Sequence, residues 1–171
     1  TVLAWLEQAA PDVACFQEIK CVDEKFPREA FESLGYNVEV HGQKSYNGVA
    51  LLSKHPLSDV RRGLPGDDAD EQARYIEAVV EAPRPIRVAA IYLPNGNPID
   101  TEKFPYKLRW MERLNRHARD LLAREEIVVL GGDFNVCPNE EDVFDTVAKA
   151  DDALCQPETR RGWRELCHIG Y

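Results

Sequence analysis

The sequence lacks any apolar run long enough to cross a membrane, and no signal peptide is expected from its opening residues. It has no surplus of positive charge. Its 21 lysines and arginines stand against 30 aspartates and glutamates, a net charge of −9. That balance argues against indiscriminate nucleic-acid binding, but it leaves room for a local basic face or for a metal site built on carboxylates. No C-x-x-C pair occurs. The five cysteines (Cys15, Cys21, Cys137, Cys155 and Cys167) are odd in number and without framework spacing. They exclude a disulfide scaffold and point to a reducing, cytoplasmic setting. Cys167 sits beside His168, yet no partner pair lies at zinc spacing. Repeats, low-complexity tracts and linkers are also missing, so the 171 residues are expected to form one domain or part of one. What is present is an ordinary globular composition, 44% hydrophobic and 30% charged.

The chain is organised around Ile127-Val128-Val129-Leu130-Gly131-Gly132-Asp133-Phe134-Asn135-Val136-Cys137-Pro138. A short apolar run bounded by turn residues reads as a strand buried on both faces. The glycines admit a close approach by another backbone or a ligand. In an extended chain Asp133 and Asn135 leave the same face, with Phe134 pointing the other way into a core. A carboxylate and an amide so placed can orient water, hold a divalent metal or grip a phosphate oxygen. The same residues also make an Asp-x-Asn turn that closes a strand.

The rest of the chain alternates strands and helices. Apolar spacing predicts a helix over 1–10, stopped by Pro11, and a buried strand over 13–16 that ends in Gln17-Glu18. Glu18 thus sits at a strand's carboxyl end, where α/β sheets tend to place ligands, and Lys20 follows it. A short helix is expected over 26–34, with Gly35 as its stop. Strands are expected over 36–41, 48–53, 57–61, 73–80 and 87–93. The loop 42–47 carries Lys44 and Tyr46. Tyr92 lies at a strand end, where its hydroxyl can reach a reacting group or simply cap the core.

The long helix is expected over 103–124. Its buried stripe reads Leu108, Met111, Leu114, Ala118, Leu121 and Leu122; its wet side reads Lys107, Arg109, Arg113, Arg116 and Arg119, with His117 at the surface. The acidic stretch 140–152 reads as a loop with a short helix, and 158–169 as a last helix. Strands interleaved with helices in one unit imply a layered α/β sandwich, and the short hairpin-like turns imply mixed sheets. The amphipathic start at Thr1 and the end at Gly170-Tyr171 both read as cuts inside a domain.

Six blocks in order carry a family resemblance: Pro11-Asp12-Val13 to Gln17-Glu18-Ile19-Lys20; His41-Gly42-Gln43-Lys44 to Gly48-Val49-Ala50-Leu51-Leu52-Ser53; Arg61-Arg62-Gly63; Tyr92-Leu93-Pro94-Asn95-Gly96; Lys103-Phe104-Pro105; and Gly132-Asp133-Phe134-Asn135-Val136-Cys137-Pro138. Together they resemble bacterial exodeoxyribonuclease III and its apurinic/apyrimidinic endonuclease relatives, within the endonuclease/exonuclease/phosphatase superfamily. The resemblance implies a DNase I-like four-layer α/β sandwich with mixed β-sheets, incomplete in this length of chain. It implies that Glu18 binds a catalytic Mg²⁺, with Mn²⁺ as an alternative metal. Asp133 orients or deprotonates the attacking water, Asn135 holds the phosphate or the aspartate, and Tyr92 steadies the scissile phosphate. Lys44, Tyr46, Arg62, Arg74 and Asn95 are implied DNA contacts. The implied partner is double-stranded DNA with abasic sites or 3′ ends, bound by a monomer, with no membrane.

Two departures stand out. Ile19 replaces the threonine of the family's Q-E-T-K block. The family's opening asparagine, its late aspartate and its closing S-D-H have no counterpart in these residues. The expectation is therefore an intact protein that cleaves DNA and a 171-residue piece that does not. Two other readings on the same fold are a non-catalytic regulator resembling catabolite-repression control proteins, and a phosphatase acting on lipids or inositol phosphates.

Overall fold

The structure is a computed structural model that describes residues 1–145 and 149–171. Its contacts divide the chain into two compact units, Thr1–Tyr92 with Glu126–Asp133, and Leu93–Glu125 with Phe134–Tyr171.

Among the described residues, the first unit holds every strand. β1 (Val13–Gln17), β2 (Asn37–His41) and β3 (Val49–Ser53) form an antiparallel sheet in the order β1-β3-β2. β4 (Leu57–Arg62), β5 (Tyr75–Val80), β6 (Ile86–Tyr92) and β7 (Val128–Asp133) form a second sheet in that order, with only the β6–β7 pair parallel. The class is mixed α/β, as expected, and the mixed character resides in the second sheet.

Period-two alternation explains how the layers form. On β3, Val49 and Leu51 face one way and join Ile76, Ala78 and Val80 of β5 and Val88 and Ala90 of β6, with Val13 and Cys15 of β1 packed alongside. Ala50 and Leu52 face the other way and meet Leu6 of helix α1 (Val2–Ala9), Phe31 of helix α2 (Arg28–Glu32), Phe26, Tyr36, Val38 and Val40. Phe31 anchors that second core against Phe26, with ring centroids 5.2 Å apart, and against Phe16 at 5.9 Å. Burying a side chain of this size contributes about 1.5–3 kcal/mol. Thr1 caps α1 by accepting from the amide of Ala4.

The second unit is helical. Helix α3 (Lys103–Leu122) packs on helix α4 (Pro157–His168), and Phe134 meets Trp163 of α4 edge-on at 5.0 Å. The short helix expected in the acidic stretch is a single 3₁₀ turn, Glu140–Asp142, and residues 146–148 of that stretch lie outside the described residues. No helix is long and apolar enough to cross a membrane among the described residues.

Three expectations need correction. β7 is an edge strand, not one buried on both faces, and Val129 is 47% exposed. Its apolar run pairs with β6 alone among the described residues, so one flank carries no strand there. The α3 stripe is wider than the aliphatic pattern: Lys107, Trp110, Arg113, Asn115 and His117 are buried, so Lys107 and Arg113 leave the wet side and His117 the surface. Charge type alone misplaces long side chains whose stems can pack while their heads find partners. Finally, Asp133 and Asn135 do not share an extended strand: β7 stops at Asp133, and Asn135 takes a left-handed φ of 46°.

Candidate active site

In the first unit, the site begins where β1 ends. Glu18 and Lys20 both adopt left-handed backbone, with φ of 54° and 55°. Amides of Ile19 and Lys20 donate to the carbonyls of Gly48 (3.3 Å) and Asn47 (3.0 Å), which holds the turn in place. Such strain persists where surrounding bonds over-determine it. The turn presents the Glu18 carboxylate, 44% exposed, to Lys20 Nζ at 2.7 Å. The lysine hydrogen bond holds the Glu18 carboxyl below the ordinary glutamate range, opposed by burial; a hydrogen bond from the Tyr92 hydroxyl and the charges of Lys20 and Arg74 reinforce the lowering.

Tyr92 closes β6, at the edge of the core between the two sheets. Burial first, then the negative charge of Glu18 and the bond to it, push its phenol above the ordinary range, so it stays protonated and donates. Arg74 works in the opposite sense. Its guanidinium lies 4.9 Å from the Tyr92 ring centroid, braced by a 2.7 Å bond from Nε to Gln72 Oε1. Asp133 pairs with Tyr92 in the β6–β7 register, and its charge reaches the same phenol. Glu18 and Asp133, 115 positions apart in sequence, therefore converge electrostatically on one tyrosine.

Gly132 permits that register. Its φ is 143°, and a methyl there would lie 2.9 Å from both C and N of Ile91 and closer still to the Ile91 carbonyl oxygen. β7 can lie this close to β6 only with no side chain at 132.

The other implied DNA contacts in this unit differ in availability. Tyr46 is 72% exposed on the loop that also displays Lys44. That loop is pinned by Asp23 Oδ1, which accepts from the Gly42 amide at 2.6 Å, and by Gln43 Oε1, which accepts from the Ala73 amide at 2.7 Å. Arg62 is committed to β2, donating from Nε to the Val40 carbonyl (2.8 Å) and from Nη2 to Glu39 (2.5 Å). Arg74 packs on Tyr92 rather than standing free as a surface cation.

The second unit holds the two amides. Asn95 Nδ2 donates to Asn135 Oδ1 at 3.2 Å, and Asn135 Nδ2 donates to the Leu93 carbonyl at 2.8 Å. Lys107 Nζ donates to the carbonyls of both, 3.1 Å to Asn95 and 2.5 Å to Asn135. Sequence reading placed Lys107 in solvent and missed this contact. A signal was available, because Lys107 sits one residue before Leu108 at the margin of the apolar stripe.

Residues 1–168 match the endonuclease/exonuclease/phosphatase family. The chain belongs to that family. It is 39% identical over 142 residues to exodeoxyribonuclease III of Haemophilus influenzae, a match covering 82% of this chain and 53% of the relative. It superposes on an AP endonuclease from Archaeoglobus fulgidus with a TM-score of 0.91 at 35% identity, covering 99% of this chain and 64% of the other. It superposes equally well, at 34% identity, on a 3′ phosphatase from Neisseria bound to a product DNA hairpin, again covering 99% of this chain and 65% of the other. The chain thus spans about half the length of the curated relative and about two thirds of the solved ones. These neighbours establish the DNase I-like fold.

Proposed function

We propose that the protein is a metal-dependent DNA repair nuclease that cuts the backbone 5′ to abasic sites and removes nucleotides from 3′ ends. The observation that carries the reading is the pairing of Asp133 with Tyr92 in the β6–β7 register, with Glu18 hydrogen-bonded to the same phenol. The family and the nuclease relatives support it.

A divalent metal fits the donors present. Among the described residues no three carboxylate, histidine or cysteine side chains gather into a preformed cage. Mg²⁺ does not require one, because it is usually bound through one or two carboxylates while retaining waters and taking phosphate oxygens. Glu18 offers an exposed carboxylate held in its charged form, and would be the protein ligand. When bound, the metal would neutralise charge on the phosphate and on the leaving oxygen.

The chain's own residues supply the rest. Asp133 accepts a proton from the attacking water. Tyr92, kept protonated, turns its single O–H from Glu18 to a phosphate oxygen when DNA is bound. The amide of Asn135, fixed by its bond to the Leu93 carbonyl, holds a second phosphate oxygen with little reorganisation. Lys44 and Tyr46, both exposed on their loop, contact the DNA backbone, and Arg62, Arg74 and Asn95 add further contacts. The chain spans about half the length of the curated relative, so turnover is assigned to the full-length protein.

The test is cleavage of an abasic-site duplex by the full-length protein, with and without a chelator, beside Glu18→Ala. Expected are loss of cutting with chelator and a drop of at least about 100-fold in the variant. Chelator-resistant cleavage, or full activity of the variant, overturns the reading.

A further inference from the structure

We propose that Lys107 is a positioning residue. Its buried ammonium ties the turns carrying Asn95 and Asn135 to helix α3 and sets their amide pair as one phosphate-gripping unit. This rests on the nuclease reading for its functional consequence.

Lys107 is wholly buried, on the first turns of α3. Fully buried lysines are rare, because an ammonium leaves water only where donors and charge are compensated. This one donates to the carbonyls of Asn95 and Asn135, two residues 40 positions apart in sequence. Those same residues are joined by their side chains. The lysine therefore braces from the backbone side a pair whose amides meet on the other.

The glycine after Asn95 is explained by the lysine. Gly96 has a φ of 89°, and a methyl there would lie 2.6 Å from Lys107 Cδ and 3.1 Å from the Ala153 methyl. The Asn95-Gly96 turn is thus shaped around the lysine stem. Charge matters as well as shape. A fixed positive charge behind two carbonyls polarises those peptide groups and raises the potential at the amides they carry, which favours an anionic oxygen. A neutral side chain of equal length would fill the space without that field.

The role predicts a split that a merely structural lysine would not produce. In the full-length protein, Lys107→Met should lower kcat on the order of 100-fold while leaving KM within about twofold, as for a displaced catalytic group. Lys107→Arg should recover most of the loss, to within about tenfold of wild type, because it restores charge and donors. In an Asn135→Ala background, Lys107→Met should cost no more than about a further twofold, because it acts through the residue already removed. Folded wild-type kcat in Lys107→Met, or multiplicative losses in the double variant, overturns the proposal.

A second readout needs no activity. The side-chain amide NMR resonances of Asn95 and Asn135 should shift or broaden in both Lys107 variants, more in Met than in Arg. If Lys107→Met does not fold, Lys107→Arg alone decides, and unmoved amide resonances refute the role. Should wild type fail to cut DNA, the nuclease reading falls, and the amide resonances alone then support or overturn the positioning role of Lys107.

Discussion

Replacing Gly132 with alanine tests the packing of β7 on β6 that sets Asp133 against Tyr92. Two costs add there. One is conformational: a φ of 143° is unfavourable for any residue with a Cβ. The other is steric, because the new methyl would stand 2.9 Å from two backbone atoms of Ile91 and nearer to its carbonyl oxygen. Backbone atoms cannot swing aside as a side-chain tip can, so relief requires the parallel ladder between β6 and β7 to part. Gly35 is the control. It has a φ of 85°, and a methyl added there would meet nothing within 4 Å, so Gly35→Ala carries the conformational cost alone.

That control should lose about 1 kcal/mol. Gly132→Ala should lose about 2–4 kcal/mol once overpacking is added. In a full-length protein this corresponds to a fall in Tm of about 4–16 °C. Urea unfolding of both variants, followed by circular dichroism, gives the comparison. Cleavage by Gly132→Ala, corrected for folded fraction, should also fall, because Asp133 moves with the ladder. Equal destabilisation by the two substitutions, or a Gly132→Ala protein as stable as wild type, would refute the close-approach argument.

Three further outcomes follow from other parts of the molecule. Arg87, 3% exposed, is bound by Glu126 (2.6 Å), Asp59 (2.7 Å) and the buried Glu77 (3.4 Å); Arg87→Met should cost about 1–3 kcal/mol in urea unfolding, because the buried Glu77 loses one cation and keeps Arg61 (3.5 Å) and the Tyr75 hydroxyl. A cost under about 1 kcal/mol would show that solvent reaches Glu77. The Glu18 carboxyl, followed by carbon NMR, should titrate below the ordinary glutamate range, so Glu18 is still charged when pH falls through the mildly acidic region and is neutralised only below it; Lys20→Met should move the midpoint upward, and an unmoved midpoint would remove the lysine as the main cause. The Cys15 thiol, pushed up to about 11 by burial, should be alkylated far more slowly at pH 8 than the exposed Cys167, as read by peptide mass spectrometry.

The strands and helices were legible in the chain because their signals are local. Period-two alternation in Tyr36 to His41 and the apolar runs at Val49 to Ser53 and after Ile127 need only neighbours in sequence, and Gly35 and Pro11 mark stops within a residue or two. The blocks around Glu18, Tyr92 and Asp133 were likewise visible as strand ends. Their mutual placement was not, because it depends on which strands pair. Tyr92 faces Asp133 only through the parallel register of β6 and β7, which a helix-length connection separates in sequence.

What the amino-acid sequence determined by itself is the α/β class, the order of elements and the residue types available at each strand end. Tertiary structure alone decided the burial of Lys107 and His117, the edge position of β7, the left-handed turn at Asn135 and the meeting of Glu18 with Tyr92. The physical reason is the range of the forces involved. Backbone preference and apolar periodicity act over a few residues, whereas burial of a charge and the approach of two distant side chains exist only once the chain has closed its long loops and the sheets have packed.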